Sequence, residues 1–295
     1  MHIKLRHNTT YRYEHAVILG PHDIRLRPSA HGRTPILDFA LRVEPAGGPV
    51  HWYTDAAGNS VARALFSEPV AELRFDVELA ADLTPRNPFD FLLDLWATQF
   101  PFRYPAELAA ELAPALGADD APAMVGEWVQ REQQDLLGAG SIDSVQLLIE
   151  LTRRVRRDVS YVVREEAGVQ APEETLALAA GSCRDSSWLL IQVARQLGLA
   201  ARFVSGYLIQ PVPDASPAQA GSASAQRMSA DLHAWAEVYL PGGGWIGLDP
   251  TSGLLTAEGH IPLAVARIPS RAAPVTGSAS PAESRLTHRL EVEAA

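Results

Sequence analysis

One cysteine in 295 residues rules out an internal disulfide and any thiolate cluster for a metal, so nothing here requires an oxidising compartment. Long apolar runs are missing as well. None approaches the roughly 20 residues that cross a bilayer, and the opening Met1-His2-Ile3-Lys4-Leu5-Arg6-His7-Asn8 is too polar for a signal peptide. The expectation is a cytoplasmic protein with no membrane partner. Basic residues are in deficit, with 25 Lys and Arg against 35 Asp and Glu and a formal charge of −10. That balance argues against a general nucleic-acid binder, whose footprint would be basic. The nine histidines lack the paired spacing of zinc sites. The one glycine cluster, Pro241-Gly242-Gly243-Gly244, joins two strand patterns rather than a strand and a helix, so it is no phosphate loop. Neither a metal nor a cofactor is expected. What remains is ordinary globular composition, 47% apolar and 20% charged, enough for one large domain or two.

The first 80 or so residues read as strands. Ala71, Leu73, Phe75, Val77 and Leu79 alternate with Glu72, Arg74, Asp76 and Glu78, one face for a core and one for water. Weaker alternations run through Ile3 to Tyr13, Ile24 to Pro28, Leu37 to Pro45 and Val61 to Phe66. Several short strands broken by Gly and Pro, without helical patterns between them, predict an antiparallel β-sandwich over residues 1–85.

After Asn87-Pro88 the period becomes helical, and residues 86–295 form the second unit. Phe89 to Phe100 is expected to pack the join. Ala106 to Leu116 and Pro122 to Leu137 read as helices, and Asp143-Ser144 caps a third that carries Leu147, Leu148, Leu151 and Val155 on one stripe. The arginines Arg153, Arg154, Arg156 and Arg157 at its far end either complement the helix dipole or bind an anion. Pro172 to Leu176 opens a short helix that Gly181 is expected to end. The next helix starts at once, with Leu189, Leu190, Val193, Ala194 and Leu197 on its apolar stripe and Gly198 after its end.

Cys183 therefore falls in the first turn of a buried helix, where unpaired N–H groups and the positive dipole end lower a thiol pKa and can hold an oxyanion. An isolated cysteine is otherwise a small buried hydrophobe. Two downstream strands decide between these readings. His233, Trp235, Glu237 and Tyr239 share one face of the first, and Trp245, Gly247 and Asp249 share one face of the second. A three-residue glycine loop places Leu240 opposite Gly244, Asp249 opposite Trp235, and His233 one diagonal step away on the same face. A two- or four-residue loop puts His233 and Asp249 on opposite faces unless a bulge restores the register. With the first register, Cys183, His233 and Asp249 fill the roles of nucleophile, general base and base-orienting carboxylate.

The oxyanion donors would be the Cys183 backbone N–H and one upstream group, Tyr161 or Gln170. Trp235 and Trp245 either line a substrate groove or belong to a core. The Pro/Ala/Ser-rich stretch Pro211 to Ala230 reads as a long loop, either a lid or a linker, and Leu286, His288, Leu290 and Val292 alternate as a last strand.

Gly181-Ser182-Cys183-Arg184-Asp185, Arg202 to Leu208, His233 to Tyr239 and Gly244 to Thr251 together resemble the core of the bacterial transglutaminase-like superfamily, with its Cys, His and Asp in the same order. His7-Asn8-Thr9-Thr10-Tyr11-Arg12-Tyr13 and Arg25-Leu26-Arg27-Pro28 resemble the N-terminal β-domain that accompanies this core. Glu173 to Gln210 and Leu248 to Pro262 also resemble the amino-terminal part of longer bacterial members. The resemblance implies an α+β, papain-like fold, with the nucleophile helix packed on an antiparallel sheet. It also implies attack on an amide or ester carbonyl through a thioacyl intermediate, with a peptide or protein as substrate. Hydrolysis needs less machinery than transfer to an amine, so a peptidase or amidase is expected ahead of a protein-glutamine transglutaminase. The rival of another class is an idle peptide-binding module.

Overall fold

The computed structural model describes residues 1–46, 48–117, 123–138, 140–212 and 227–295. Six strands open the chain, β1 (His2–Val17), β2 (His22–Ile24), β3 (Ile36–Glu44), β4 (His51–Thr54), β5 (Ser60–Ala64) and β6 (Val70–Asp82). In β6 Leu73, Phe75, Val77 and Leu79 are buried as their alternation requires, whereas Ala71 is exposed. The cause is a slip in the β1–β6 pairing between Arg12 and Val17, which moves the strand start off the two-residue period.

β7 (Gln99–Phe100) leads into the helices α1 (Ala106–Glu111), α2 (Ala113–Leu116) and α3 (Ala123–Leu137). The expected single helix over Ala106–Leu116 is thus two short ones, since Pro114 sits in the first turn of α2 and has no N–H with which to continue α1. Phe89 to Phe100 only partly packs the join. Phe100 is buried and Phe91 and Leu93 lean on the core, but Leu92 and Leu95 face solvent. β8 (Ile142–Asp143) precedes α4 (Ser144–Asp158), whose cap is the expected one, Asp143 accepting from the Val145 and Gln146 amides at 3.0 Å. The arginines at its far end are largely paired. Arg154 holds Glu132 and Asp135 of α3, Arg157 holds Asp158 and Glu132, and Arg153 holds Glu150. Glu132, on the neighbouring helix, supplies the partner that a reading of α4 alone leaves open.

The remaining elements are β9 (Ser160–Tyr161), α5 (Pro172–Leu178), β10 (Ala180–Gly181), α6 (Cys183–Gln196), β11 (Ala201–Pro211), β12 (Met228–Leu240), β13 (Gly244–Asp249), β14 (Leu254–Leu255), β15 (His260–Ala266), β16 (Val275–Thr276) and β17 (Ser284–Ala294). Ala179, in the left-handed region at φ 49°, ends α5 in place of Gly181. The stretch Pro211 to Ala230, expected as a loop, is strand at both ends, since β11 runs to Pro211 and β12 begins at Met228; the rest of that expected lid or linker, 213–226, lies outside the described residues.

The β11–β15 region forms a five-stranded sheet in the order β14-β13-β12-β11-β15, each strand antiparallel to its neighbours. Ala234, Ala236, Val238 and Leu240 of β12 share a core with Leu189, Leu190, Val193 and Ala194 of α6. This is a mixed α/β fold with the cysteine-bearing helix laid on an antiparallel sheet. No helix of the described residues is long and apolar enough to cross a membrane.

The division at residues 85/86 does not describe the sheets. The sandwich consists of β17-β1-β6-β3 and β16-β2-β5-β4, so both of its sheets take a strand from the C-terminal end of the chain. Alternation at Leu286 to Val292 announces a strand but not its partner, which is β1, Leu5 facing Val292 from 287 residues away. The sandwich core also continues into the second unit, where Tyr207, Ile209, Ile261 and Leu263 pack against Ile3, Leu5 and Phe75.

His7 sits in this join. Its Nδ1 shares a hydrogen bond with the Tyr207 hydroxyl at 2.9 Å and its Nε2 one with Thr9 Oγ1 at 2.8 Å. Burial, reinforced by His288, lowers its pKa to about 4, with Asp76 opposing. The unfolded chain therefore binds a proton here that the folded chain refuses, and stability falls as the pH drops from about 6.5 towards 4. The cost is at most about 3 kcal/mol. Thermal unfolding of the wild type and His7→Gln at pH 7 and pH 5 checks this: the wild type should lose more stability over that interval than the variant.

Candidate active site

Two structures built from local sequence meet here. The first is the start of α6. Ser182 precedes Cys183, and Asp185, fully buried at 0% exposure, accepts from the Ser182 amide at 2.8 Å, the Ser182 hydroxyl at 2.7 Å, the Gln170 amide at 2.8 Å and Arg164 Nε at 2.8 Å. Burial would raise this carboxyl, and the donors overcome it to hold the pKa below the ordinary range. Arg184 reaches the other way and donates to the Arg164 and Glu166 carbonyls at 3.0 Å. Arg184 and Asp185 together staple the 164–170 loop to the helix start. Gly181 leaves the room, since a Cβ there would stand 2.9 Å from Asp185 Cβ.

The second is the β12–β13 hairpin. Leu240 pairs with Gly244 and Ala236 with Leu248, the register of a three-residue Pro241-Gly242-Gly243 loop. Gly242 needs its missing side chain, with φ at 84° and a Cβ that would meet the backbone of Leu92 to Asp94 at 2.6–2.9 Å. This register puts Asp249 within 3.3 Å of His233, Oδ2 to Nε2. Nε2 is buried and its N–H is not aligned on Oδ2, so the carboxylate faces the imidazole at hydrogen-bonding range but off the N–H line. Burial works to lower the His233 pKa, yet Asp249 and Cys183 together push it up to about 9. Cys183 is half-buried, and its hydrogen bond to His233, one of the causes of that rise, makes thiol and imidazole neighbours.

Asp249 is 1% exposed and its acceptor sites are filled. Oδ1 takes the Thr251 amide at 2.9 Å and the Thr251 hydroxyl at 2.7 Å. Oδ2 faces His233 and a second imidazole, His260 Nε2, also at 3.3 Å. Burial would raise the carboxyl, but these partners hold it far below the ordinary range.

Residues 3–82 match the bacterial transglutaminase-like N-terminal region, and residues 138–250 match the transglutaminase-like superfamily core. The chain thus carries a transglutaminase-like core behind the N-terminal region found in bacterial transglutaminase-like proteins. An uncharacterized protein of Mycobacterium tuberculosis is 27% identical over 266 residues, 88% of this chain and 81% of that protein. One of Mycobacterium leprae is 28% identical over 130 residues, 44% of this chain and 43% of that protein. A crystal structure from Cytophaga hutchinsonii, described as "a Putative Cysteine Protease", superposes with a TM-score of 0.66 at 19% identity, covering 99% of this chain and 90% of that one. At that identity the likeness establishes a shared fold.

Within this superfamily core the other expected residues fall as follows. Tyr161, on β9, is half-exposed. Burial, then the charges of Cys183, Asp231 and Asp249, raise its pKa, so its phenol stays a donor beside the cysteine. Gln170 backs the helix start instead. Its backbone amide serves Asp185, and its side-chain oxygen accepts from Thr175 Oγ1 at 3.2 Å. Trp235 forms no open groove wall, because it is 1% exposed. Its ring lies over Gly206, where a Cβ would come within 2.4 Å of it and 2.3 Å of the Ile261 carbonyl, and it stacks on His233 with centroids 6.4 Å apart. Trp245 is covered by Arg202 at 4.1 Å and by Tyr239. The two tryptophans line a small cavity with His31, Arg33, Glu237 and His260, on the His260 side of the site. Gly206→Ala should therefore displace the ring that seats His233 and cost about 1–3 kcal/mol. Urea unfolding measures it.

His260 is the site residue that local pattern missed. It starts β15, separated from β12 by β11 in sheet order, and only the sheet brings it to Asp249. His233, Asp249 and His260 offer ligand atoms within 4.8 Å of one another, a spacing a metal ion could use. The tautomer argues for a hydrogen-bonded cluster instead. His260 Nδ1 accepts from the Ala257 amide at 3.2 Å, so its proton is on Nε2, aimed at Asp249. A metal on Nε2 would force that proton to Nδ1, against the Ala257 N–H.

Proposed function

We propose that the chain is a cysteine-dependent enzyme acting on peptide or side-chain amide bonds, a peptidase or amidase with Cys183, His233 and Asp249 as its triad. The observation that carries this reading is the hairpin register that sets His233 against Asp249 at the start of the cysteine-bearing helix. Cys183 Sγ attacks the carbonyl carbon while His233 holds the thiol proton, through Nδ1 since Nε2 faces Asp249. The carbonyl oxygen becomes an oxyanion, for which the Cys183 amide and the Tyr161 hydroxyl are the proposed donors. Collapse breaks the C–N bond, the leaving amine takes the proton from His233, and the acyl group remains on sulfur. Water, deprotonated by His233, then releases the acid and restores the thiol. Asp249 keeps the ring oriented and offsets its charge during both steps.

The substrate proposed is a peptide or protein, with no cofactor. The test is ammonia or amine release from Gln-containing peptides by the wild type and Cys183→Ala, with and without a primary amine. Turnover without the amine, lost in the variant, supports hydrolysis. Turnover only with the amine assigns acyl transfer instead, and peptide binding without turnover assigns a binding module.

A further inference from the structure

The second imidazole on Asp249 has no part in the chemistry above, yet it is held as firmly as the first. His260 Nδ1 is tied to the Ala257 amide. Its ring meets the edge of Trp235 at 5.3 Å and 85°, and Nε2–H donates to Asp249 Oδ2. His233 approaches that same oxygen at the same distance of 3.3 Å, but its N–H does not line up with it. One oxygen is shared, and His260 has the better angle.

We propose that His260 is a positioning residue for the site: it holds Asp249 Oδ2 off the N–H line of His233, so that Asp249 orients His233 without locking it. The proposal rests on the reading of Cys183, His233 and Asp249 as the working groups. A carboxylate in line with His233 Nε2–H would stabilise the imidazolium further, raise the affinity of Nδ1 for the proton taken from the thiol, and so oppose its delivery to the leaving group. Drawing part of the carboxylate's hydrogen-bonding capacity to His260 leaves the Nδ1 proton transferable. Thr251 fixes Oδ1 whatever happens at Oδ2, so losing His260 frees one oxygen and not the whole side chain. The charged and titratable groups facing His233 are Asp249 of β13, Cys183 of α6 and His260 of β15; Tyr161 of β9 faces Cys183 and Asp249 in turn, with Asp231 of β12 beside it. Further along the same sheet face Glu237 is already engaged by Arg202 and His31.

Long-range 1H–15N correlation spectra of the full chain, recorded across pH, test this. The wild type should show the Nε2–H tautomer of His260. His260→Phe keeps a ring against Trp235 but has no donor, and should raise the His233 midpoint by about one pH unit, a tenfold gain in proton affinity. His260→Gln restores a donor and should leave the midpoint near that of the wild type. A His260 proton on Nδ1, or a His233 midpoint unmoved in His260→Phe, overturns the proposal. Cys183→Ser separates the two claims: a His233 midpoint that does not fall in that variant removes the Cys–His pairing itself, whatever His260 does.

Discussion

Asp249→Asn is expected to lower turnover by about 10³–10⁴-fold while the chain still folds, an effect of the size known when a triad carboxylate becomes an amide. The amide oxygen can replace Oδ1 and accept from the Thr251 amide and hydroxyl. The amide nitrogen then stands where Oδ2 was, facing the nitrogens of His233 and His260 at 3.3 Å. Donor meets donor, and His233 must turn or change tautomer. The imidazole also loses the charge that raises its pKa, so its midpoint should fall well below about 9. Steady-state kinetics with any amide substrate found for the wild type checks the first effect, and far-UV circular dichroism checks that the fold survives.

The second large effect is on stability. Asp185→Ala removes the acceptor shared by Ser182, Gln170 and Arg164 at a fully buried position. Arg164, mostly buried itself, then lacks its close partner, and the Ser182 and Gln170 amides lose theirs. A cost of about 3–5 kcal/mol follows from stranding a buried charge. The carboxyl's lowered pKa gives the sign of its pH dependence: its contribution is present above the ordinary carboxylate pKa and is lost as the pH falls through the depressed one. Urea unfolding of the wild type and Asp185→Ala at pH 7 reads the difference. Because the same contacts set the start of α6, Cys183 reactivity should fall in the variant even where it remains folded.

Features specified by short stretches of chain were legible in the sequence. The Asp143 cap, the Leu147 to Val155 stripe and the glycine loop that fixes Leu240 against Gly244 each depend on residues within a turn or two of each other. The loop mattered most, since a two-residue period makes a one-residue slip move His233 away from Asp249. Features set by long-range assembly were not legible. Nothing near Leu286 to Val292 says that β17 pairs with β1, and nothing near Arg154 says that Glu132 faces it. His260 is the sharpest case. Eleven residues from Asp249 in sequence, it reaches that carboxylate from the opposite edge strand of the sheet, past a glycine at 206 that lets the Trp235 ring lie across β11. Trp235 was open to two readings from its alternation, and its burial places it under the imidazoles rather than beside a substrate.

The central claim is that Cys183 is made reactive by His233 and Asp249, and alkylation tests it without knowing the substrate. Iodoacetamide labelling of the folded chain should be rapid at pH 6 and should slow sharply in His233→Ala at the same pH. Labelling that rises only towards pH 8.5, as for an ordinary thiol, or that is the same in His233→Ala, would contradict it.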